Sequence, residues 1–337
     1  MTPNKKMELV CPAGSMPALK AAVDNGADAV YMGFRDGTNA RNFPGLNFDL
    51  NEARQGITYA RKAGARVFLA INTYPRPHQW EKWCQAVDQA ATLGVDALIL
   101  ADPGLMDYCA QTHPDLRLHL SVQGSATNCE AIDFYVQHFG VRRVVLPRVL
   151  SLAQVQNVLK RVNAEIEVFG FGSLCVMVEG RCTLSSYVTG QSPNSSGVCS
   201  PAKAVKWEES DSGLRSRLNG VLIDVYAPGE SAGYPTLCKG RFEVGGHVYY
   251  AMEEPTSLNV LDILPDLYRA GVAAIKVEGR QRSPAYVAQV TRTLREAIDA
   301  CSTDSDKFSP NPRWVKLLDS IAEGSCHTLG AYSRPWQ

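Results

Sequence analysis

A chain of 337 residues with 45% apolar content can bury a full core, which excludes disorder or a coiled coil as a description of the whole. Basic and acidic residues number 34 each, so the net charge is zero; a general polyanion binder is normally basic, and a nucleic-acid partner is therefore disfavoured, although a local patch stays open. No run approaches the ~20 apolar residues of a membrane span, and Met1 to Met7 lacks a signal-peptide core, so the expectation is a soluble, cytoplasmic protein.

In chain order, Met7 to Cys11 reads as a short buried strand and Met16 to Asn25 as a helix. Five segments then share one pattern, a glycine and a small or β-branched residue leading into an apolar run. They begin at Gly26, Gly64, Gly94, Gly140 and Gly271. Each follows a stretch of helical periodicity, so the glycine suits the left-handed position after a helix and the run suits a buried strand. Arg117 to Gln123 and Glu165 to Phe171 add two more strands. Eight strands result, near residues 8, 30, 68, 98, 120, 145, 168 and 275. Helices are expected over Asn51–Ala63, Gln79–Leu93, Pro103–Thr112, Cys129–Phe139, Leu152–Val162, Ser257–Ala270 and Pro284–Ala300. Repeated βα units of this kind predict an α/β fold, a (β/α)8 TIM-type barrel. The alternative is an open doubly wound sheet. It is weakened by Cys11-Pro-Ala-Gly-Ser-Met, which stands where a nucleotide-binding Gly-x-Gly-x-x-Gly would follow the first strand.

The seventh strand is followed by a long β-rich insertion. Ala204–Trp207 and Arg217–Tyr226 read as strands, and Arg241–Val244, Gly245-Gly246 and His247–Met252 as a hairpin. The organisation expected is therefore 1–172 for barrel strands 1–7, 173–255 for the insertion, 256–300 for barrel completion and 301–337 for a C-terminal tail. An insertion after a barrel strand sits on the C-terminal face, where barrel active sites lie.

Ten cysteines in a reducing compartment do not form a disulfide framework. Six of them (Cys11, Cys84, Cys109, Cys129, Cys301, Cys326) are scattered, but Cys175, Cys182, Cys199 and Cys238 all fall in the insertion, spaced C-x6-C-x16-C-x38-C. Solvent-facing loops are poor places for inert thiols, and metal ligation gives these four a reason. The tight Cys-x2–4-Cys knuckles of structural zinc are absent, and the wide spacing with nearby Gly172, Gly180, Gly197 and Gly240 suits an iron–sulfur cluster better. Zinc and unligated thiols remain alternatives. Polar residues after the apolar runs form a second candidate site at the barrel mouth: Asn39, Arg41, Asn72, Asp102, Gln123, Arg148, Glu278 and Arg280. Arg41, Arg148, Glu278 and Arg280 are the catalytic candidates, because guanidinium groups pair bidentately with carboxylates. Alternatively, the arginines pair with Asp102 and Glu278 and merely stabilise the mouth. Glu179 and Arg181 flank the second cysteine and are candidates for tuning a cluster.

The stretch Glu167 to Ser185, containing Gly172-Ser-Leu-Cys175 and Glu179-Gly-Arg-Cys182, resembles the signature of the collagenase-like "peptidase U" family. Further segments resemble its ubiquinone-biosynthesis branch: Glu8–Gly14, Thr38–Arg41, Ser121–Asn128, Gly233–Arg241, Glu253–Asn259, Lys276–Tyr286 and Leu329-Gly-Ala-Tyr332. The resemblance implies a [4Fe–4S] cluster on Cys175, Cys182, Cys199 and Cys238. It implies a heterodimer with a homologous UbiV-like subunit and a UbiT-like lipid carrier, acting in oxygen-independent hydroxylation of the aromatic ring of a ubiquinone precursor, with prephenate as a candidate hydroxyl donor. RNA-base hydroxylation, as in other branches, is the alternative within the family, and a structural zinc scaffold the alternative outside it. One departure is Ser200-Pro-Ala after Cys199, where many relatives place a further cysteine and arginine. Peptidase activity is disfavoured: His-Glu-x-x-His is absent, no Gly-x-Ser-x-Gly falls at a strand–helix turn, and His78, His113, His119, His138, His247 and His327 are isolated.

Overall fold

The computed structural model describes residues 6–42, 44–177, 182–193, 197–211 and 213–334. Seven short apolar runs pair in parallel as β1 (Glu8–Pro12), β2 (Ala29–Met32), β3 (Arg66–Ile71), β4 (Ala97–Leu100), β5 (Leu118–Leu120), β6 (Arg143–Val145) and β7 (Glu165–Ser173). The eighth parallel strand, β14 (Ala274–Val277), pairs with both β1 and β7 and closes the barrel. The helices between them are α1 (Met16–Asp24), α2 (Leu50–Lys62), α3 (Trp80–Leu93), α4 (Pro103–Thr112), α5 (Cys129–Phe139) and α6 (Leu152–Arg161). The predicted (β/α)8 barrel is therefore the observed fold. The five glycines that announced strands all hold positive φ, ending helices where the pattern placed them.

Alternation along the strands separates two cores. Leu9, Val30, Leu69, Leu98, Val144, Ile166 and Ile275 face outward under the helices. Val10, Ala29, Tyr31, Phe68, Ala70, Ala97, Ile99 and Ala274 fill one side of the lumen. The other side is charged. Arg143, with no exposed side-chain surface, donates to Glu8 and Glu165 at 2.7 Å each and to Glu167 at 3.2 Å; Lys276 donates to Glu167 at 2.7 Å. Burial disfavours the Glu167 carboxylate, but Lys276 and Arg143 outweigh it and hold the carboxyl below its usual range. Burial and the nearby Arg143 and Arg117 push His119 well below the usual imidazole range, so it stays neutral.

Between β7 and β14 lies the insertion. It opens with α7 (Thr183–Thr189), continues as a three-stranded antiparallel sheet of β8 (Val205–Ser210), β9 (Gly213–Leu218) and β10 (Val221–Tyr226), and adds the expected hairpin, β11 (Phe242–Val244) with β12 (His247–Tyr249). Arg217–Tyr226 is not one strand: Asn219 and Gly220, both with positive φ, turn the chain into a hairpin of β9 and β10. The expected helix over Ser257–Ala270 is also shorter. Ser257–Asn259 forms β13, antiparallel to the end of β7, and α8 covers only Leu264–Ala270, with proline in its first turn. The cause is the nine-residue length of β7, which overshoots the rim and offers unpaired backbone groups. After α9 (Pro284–Thr303) and α10 (Pro312–Ile321), the C-terminal segment adds β15 (His327–Thr328), parallel to β13. No helix among the described residues is long and apolar enough to cross a membrane.

Replacing Glu167 with alanine leaves two buried cations short of a partner, so unfolding in urea is expected to show a loss of about 3–5 kcal/mol. A loss below about 1 kcal/mol, the size of a surface pair, would mean the lumen network is solvated.

Candidate metal centre and barrel-mouth cavity

Four elements deliver the four insertion cysteines to one place. The overshoot of β7 ends two residues before Cys175. Cys182 is the N-cap of α7, its sulfur accepting from the Ser185 amide at 3.4 Å. Cys199 follows Gly197, whose backbone packs against Arg41. Cys238 sits in a 3-10 turn, Leu237–Lys239, held by its carbonyl accepting from the Glu253 amide at 3.1 Å. All four line one cavity of about 470 Å³ over the barrel mouth. Burial, reinforced by Cys175 and Cys199 nearby, pushes the Cys238 thiol up to about 12, so a metal would have to displace its proton. Among the described residues, no three histidine, cysteine or acidic side chains stand close enough to share one metal ion. Four thiols lining one cavity are a donor set that both iron–sulfur clusters and structural zinc take.

The remaining cysteines separate as expected from scattered thiols. Cys11, Cys84, Cys109, Cys129 and Cys301 are buried, and Cys326 is exposed and does not line the cavity. Glu179 and Arg181 lie outside the described residues.

Directly beneath is a smaller cavity of about 80 Å³ in the barrel lumen, lined by Tyr31, Asn72, Gln123, Lys276 and Arg280 among others. Arg41, Arg148 and Glu278 line both cavities and form the boundary between them. Arg148 donates to the Ser173 carbonyl and lies 4.5 Å over the Phe169 ring. Arg41 stands 3.9 Å from Glu278, whose other oxygen accepts from the Ser173 amide at 3.3 Å. Burial opposes the Glu278 carboxylate, but Arg41, Arg148 and Arg282 prevail and hold its carboxyl below the usual range. Gly172 makes this arrangement possible: its φ is +127°, and a Cβ there would lie 2.7 Å from that of Glu278. Arg280 is buried with its Nη1 atom lacking any hydrogen-bond partner, and Gln123 Oε1 is likewise unpartnered. Burial lowers the Arg280 guanidinium to about 10, which still leaves it charged at neutral pH.

The mouth candidates thus divide. Arg41, Arg148, Glu278, Arg280, Asn72 and Gln123 converge on the two cavities. Asn39 acts on the loop, accepting from the Arg41 amide at 3.0 Å. Asp102 is not a partner for the arginines; it caps α4, accepting from the Leu105 amide at 2.9 Å, and lines neither cavity. Lys239, Glu323 and Lys276 are site residues that the sequence reading passed over. Lys276 was recoverable, since alternation in Ala274-Ile-Lys-Val277 points it into the lumen with Ala274. No histidine lines either cavity among the described residues.

A cysteine-lined chamber on the C-terminal face of a (β/α)8 barrel defines the class, and residues 14–335 match the model of peptidase family U32, to which the chain belongs. Among its relatives is the tRNA hydroxylation protein P of Escherichia coli, 31% identical over 343 residues, covering 96% of this chain and 73% of that one. The tRNA hydroxylation protein P1 of Bacillus subtilis is 30% identical over 322 residues, covering 95% and 69%. The 23S rRNA 5-hydroxycytidine C2501 synthase of Escherichia coli is 28% identical over 297 residues, covering 88% and 40%. These three relatives are named for hydroxylation of RNA, whereas others are named as an uncharacterized protease of Methanocaldococcus jannaschii, 32% identical, and a collagenase of Porphyromonas gingivalis, 28% identical; this chain spans only part of their length.

If the four cysteines are ligands, Cys175→Ala or Cys238→Ala, purified without air, should lose nearly all bound iron while Cys326→Ala retains it. Equal iron in all three variants would remove the assignment.

Proposed function

We propose that this chain is an iron–sulfur component of a hydroxylation system that needs no dioxygen, with a [4Fe–4S] cluster on Cys175, Cys182, Cys199 and Cys238. The observation that carries the reading is the convergence of these four thiols, from four separate elements, on one chamber floored by Arg41, Arg148 and Glu278. A bound cluster would supply one-electron chemistry beside that floor. The protein's own groups do the binding. Arg41 and Arg148 can hold a carboxylate from above, while Arg280 Nη1 and Gln123 Oε1 offer an unpaired donor and acceptor below. An oxygen donor with two carboxylates, such as prephenate, matches that charge distribution. Glu278, held ionised, would orient the arginines or accept a proton.

For the ring that is hydroxylated, two readings stand. The motifs shared with the ubiquinone-biosynthesis branch, and a net charge of zero, favour a UbiU-like role: a heterodimer with a UbiV-like subunit, a UbiT-like carrier presenting the lipid, and the aromatic ring of a ubiquinone precursor as substrate. The relatives named for tRNA and rRNA hydroxylation favour an RNA base, and the comparisons support that ring more directly.

A strain lacking this chain, complemented with the native or the Cys175→Ala form, separates them. The ubiquinone reading expects the variant to lose quinone production without air and keep it with air. Intact anaerobic quinone, together with loss of a hydroxylated nucleoside from digested RNA, would establish the RNA reading instead.

A further inference from the structure

The C-terminal segment forms part of the wall of the cysteine chamber. After α10 the chain turns through Glu323–Ser325, and Glu323 and Gly324 line the cavity beside the cysteines. Across from them, Lys239 directly follows Cys238, and its side chain is only 3% exposed. Its ammonium donates to Glu323 Oε2 at 2.5 Å and to Ser173 Oγ at 2.9 Å; Ser173 Oγ donates in turn to Glu323 Oε2 at 3.2 Å. Ser173 stands two residues before Cys175. One buried knot therefore ties together the strand end that carries the first cysteine, the turn that carries the fourth, and the C-terminal segment.

The segment is itself anchored on both sides of that knot. The Glu323 amide donates to Ser257 Oγ at 2.8 Å, β15 pairs with β13, and the Tyr332 hydroxyl donates to the Phe169 carbonyl at 3.1 Å. A buried ion pair adds little net stability compared with an apolar pair of the same shape, but its geometry is strongly enforced, because either charge left alone is costly. Such a device fixes distances between elements.

We propose that Lys239 and Glu323 are positioning residues that latch the C-terminal segment over the chamber, set the spacing of Cys175 and Cys238, and so control how firmly an iron–sulfur cluster is held and how readily solvent and dioxygen reach it. This rests on the cluster assignment above. The test uses the full chain purified without air, as wild type, Lys239→Met, Glu323→Gln and the double variant, in which no buried charge is left unpaired. Iron and sulfide per chain, the paramagnetic resonance of the reduced protein, and the rate of loss of visible absorbance to a chelator or to air are compared, with circular dichroism and thermal unfolding as controls of folding. All three variants are expected to lose the cluster about tenfold faster than wild type, the double variant while keeping native circular dichroism. A folded double variant that keeps its cluster as long as wild type overturns the latch and leaves the cluster assignment standing. Wild-type protein without iron and sulfide overturns both.

Discussion

The parallel closure of β7 on β14 is the constraint on which the rest of the structure depends. The two strands pair from Glu167 with Ala274 to Phe171 with Val277, and the register shifts between Lys276 and Val277 as β7 continues past the rim. Below that point, Lys276, two residues beyond the partner of Glu167 in the register, reaches back to it inside the lumen at 2.7 Å. Above it, the overshoot places Gly172 against Glu278, offers backbone to β13, and delivers Cys175 to the mouth. A β7 of ordinary length would leave the insertion without its first anchor.

The lumen explains why the mouth is so cationic. One side of the barrel is filled by alanine, valine and aromatic groups, while the other holds charges that neutralise one another around Arg143 and Glu167. The acidic residues of the lumen are spent at the bottom of the barrel. Toward the top, Arg41, Arg148 and Arg280 share Glu278 as the carboxylate lining the small cavity with them, so the open end of the lumen is left with unbalanced positive charge facing the chamber. Because burial strengthens each of these interactions relative to water, the imbalance is a property of the site and not of the protein's net charge, which is zero.

Much of this was legible in the sequence because local signals and global topology agreed. Five barrel strands lie where glycine-led apolar runs placed them and three more where further strand segments were expected, and α4 and α5 match their expected spans residue for residue. The gathering of four cysteines in one insertion foretold one chamber. What was missed depends on contacts between distant segments. Nothing local to Ser257–Asn259 says that a protruding strand will recruit it, and the ion pair of Lys239 with Glu323 spans 84 positions. Two errors were avoidable. Asn219-Gly220 is a strong hairpin signal, and Asp102-Pro-Gly announces a helix cap with proline in the first turn.

The account makes the four thiols the ligands of a single inorganic centre above the barrel mouth. The most direct test is metal and acid-labile sulfide analysis of the native chain isolated under strict exclusion of air. About four irons and four sulfides per chain are predicted. Zinc without sulfide, or no metal at all, would contradict the account.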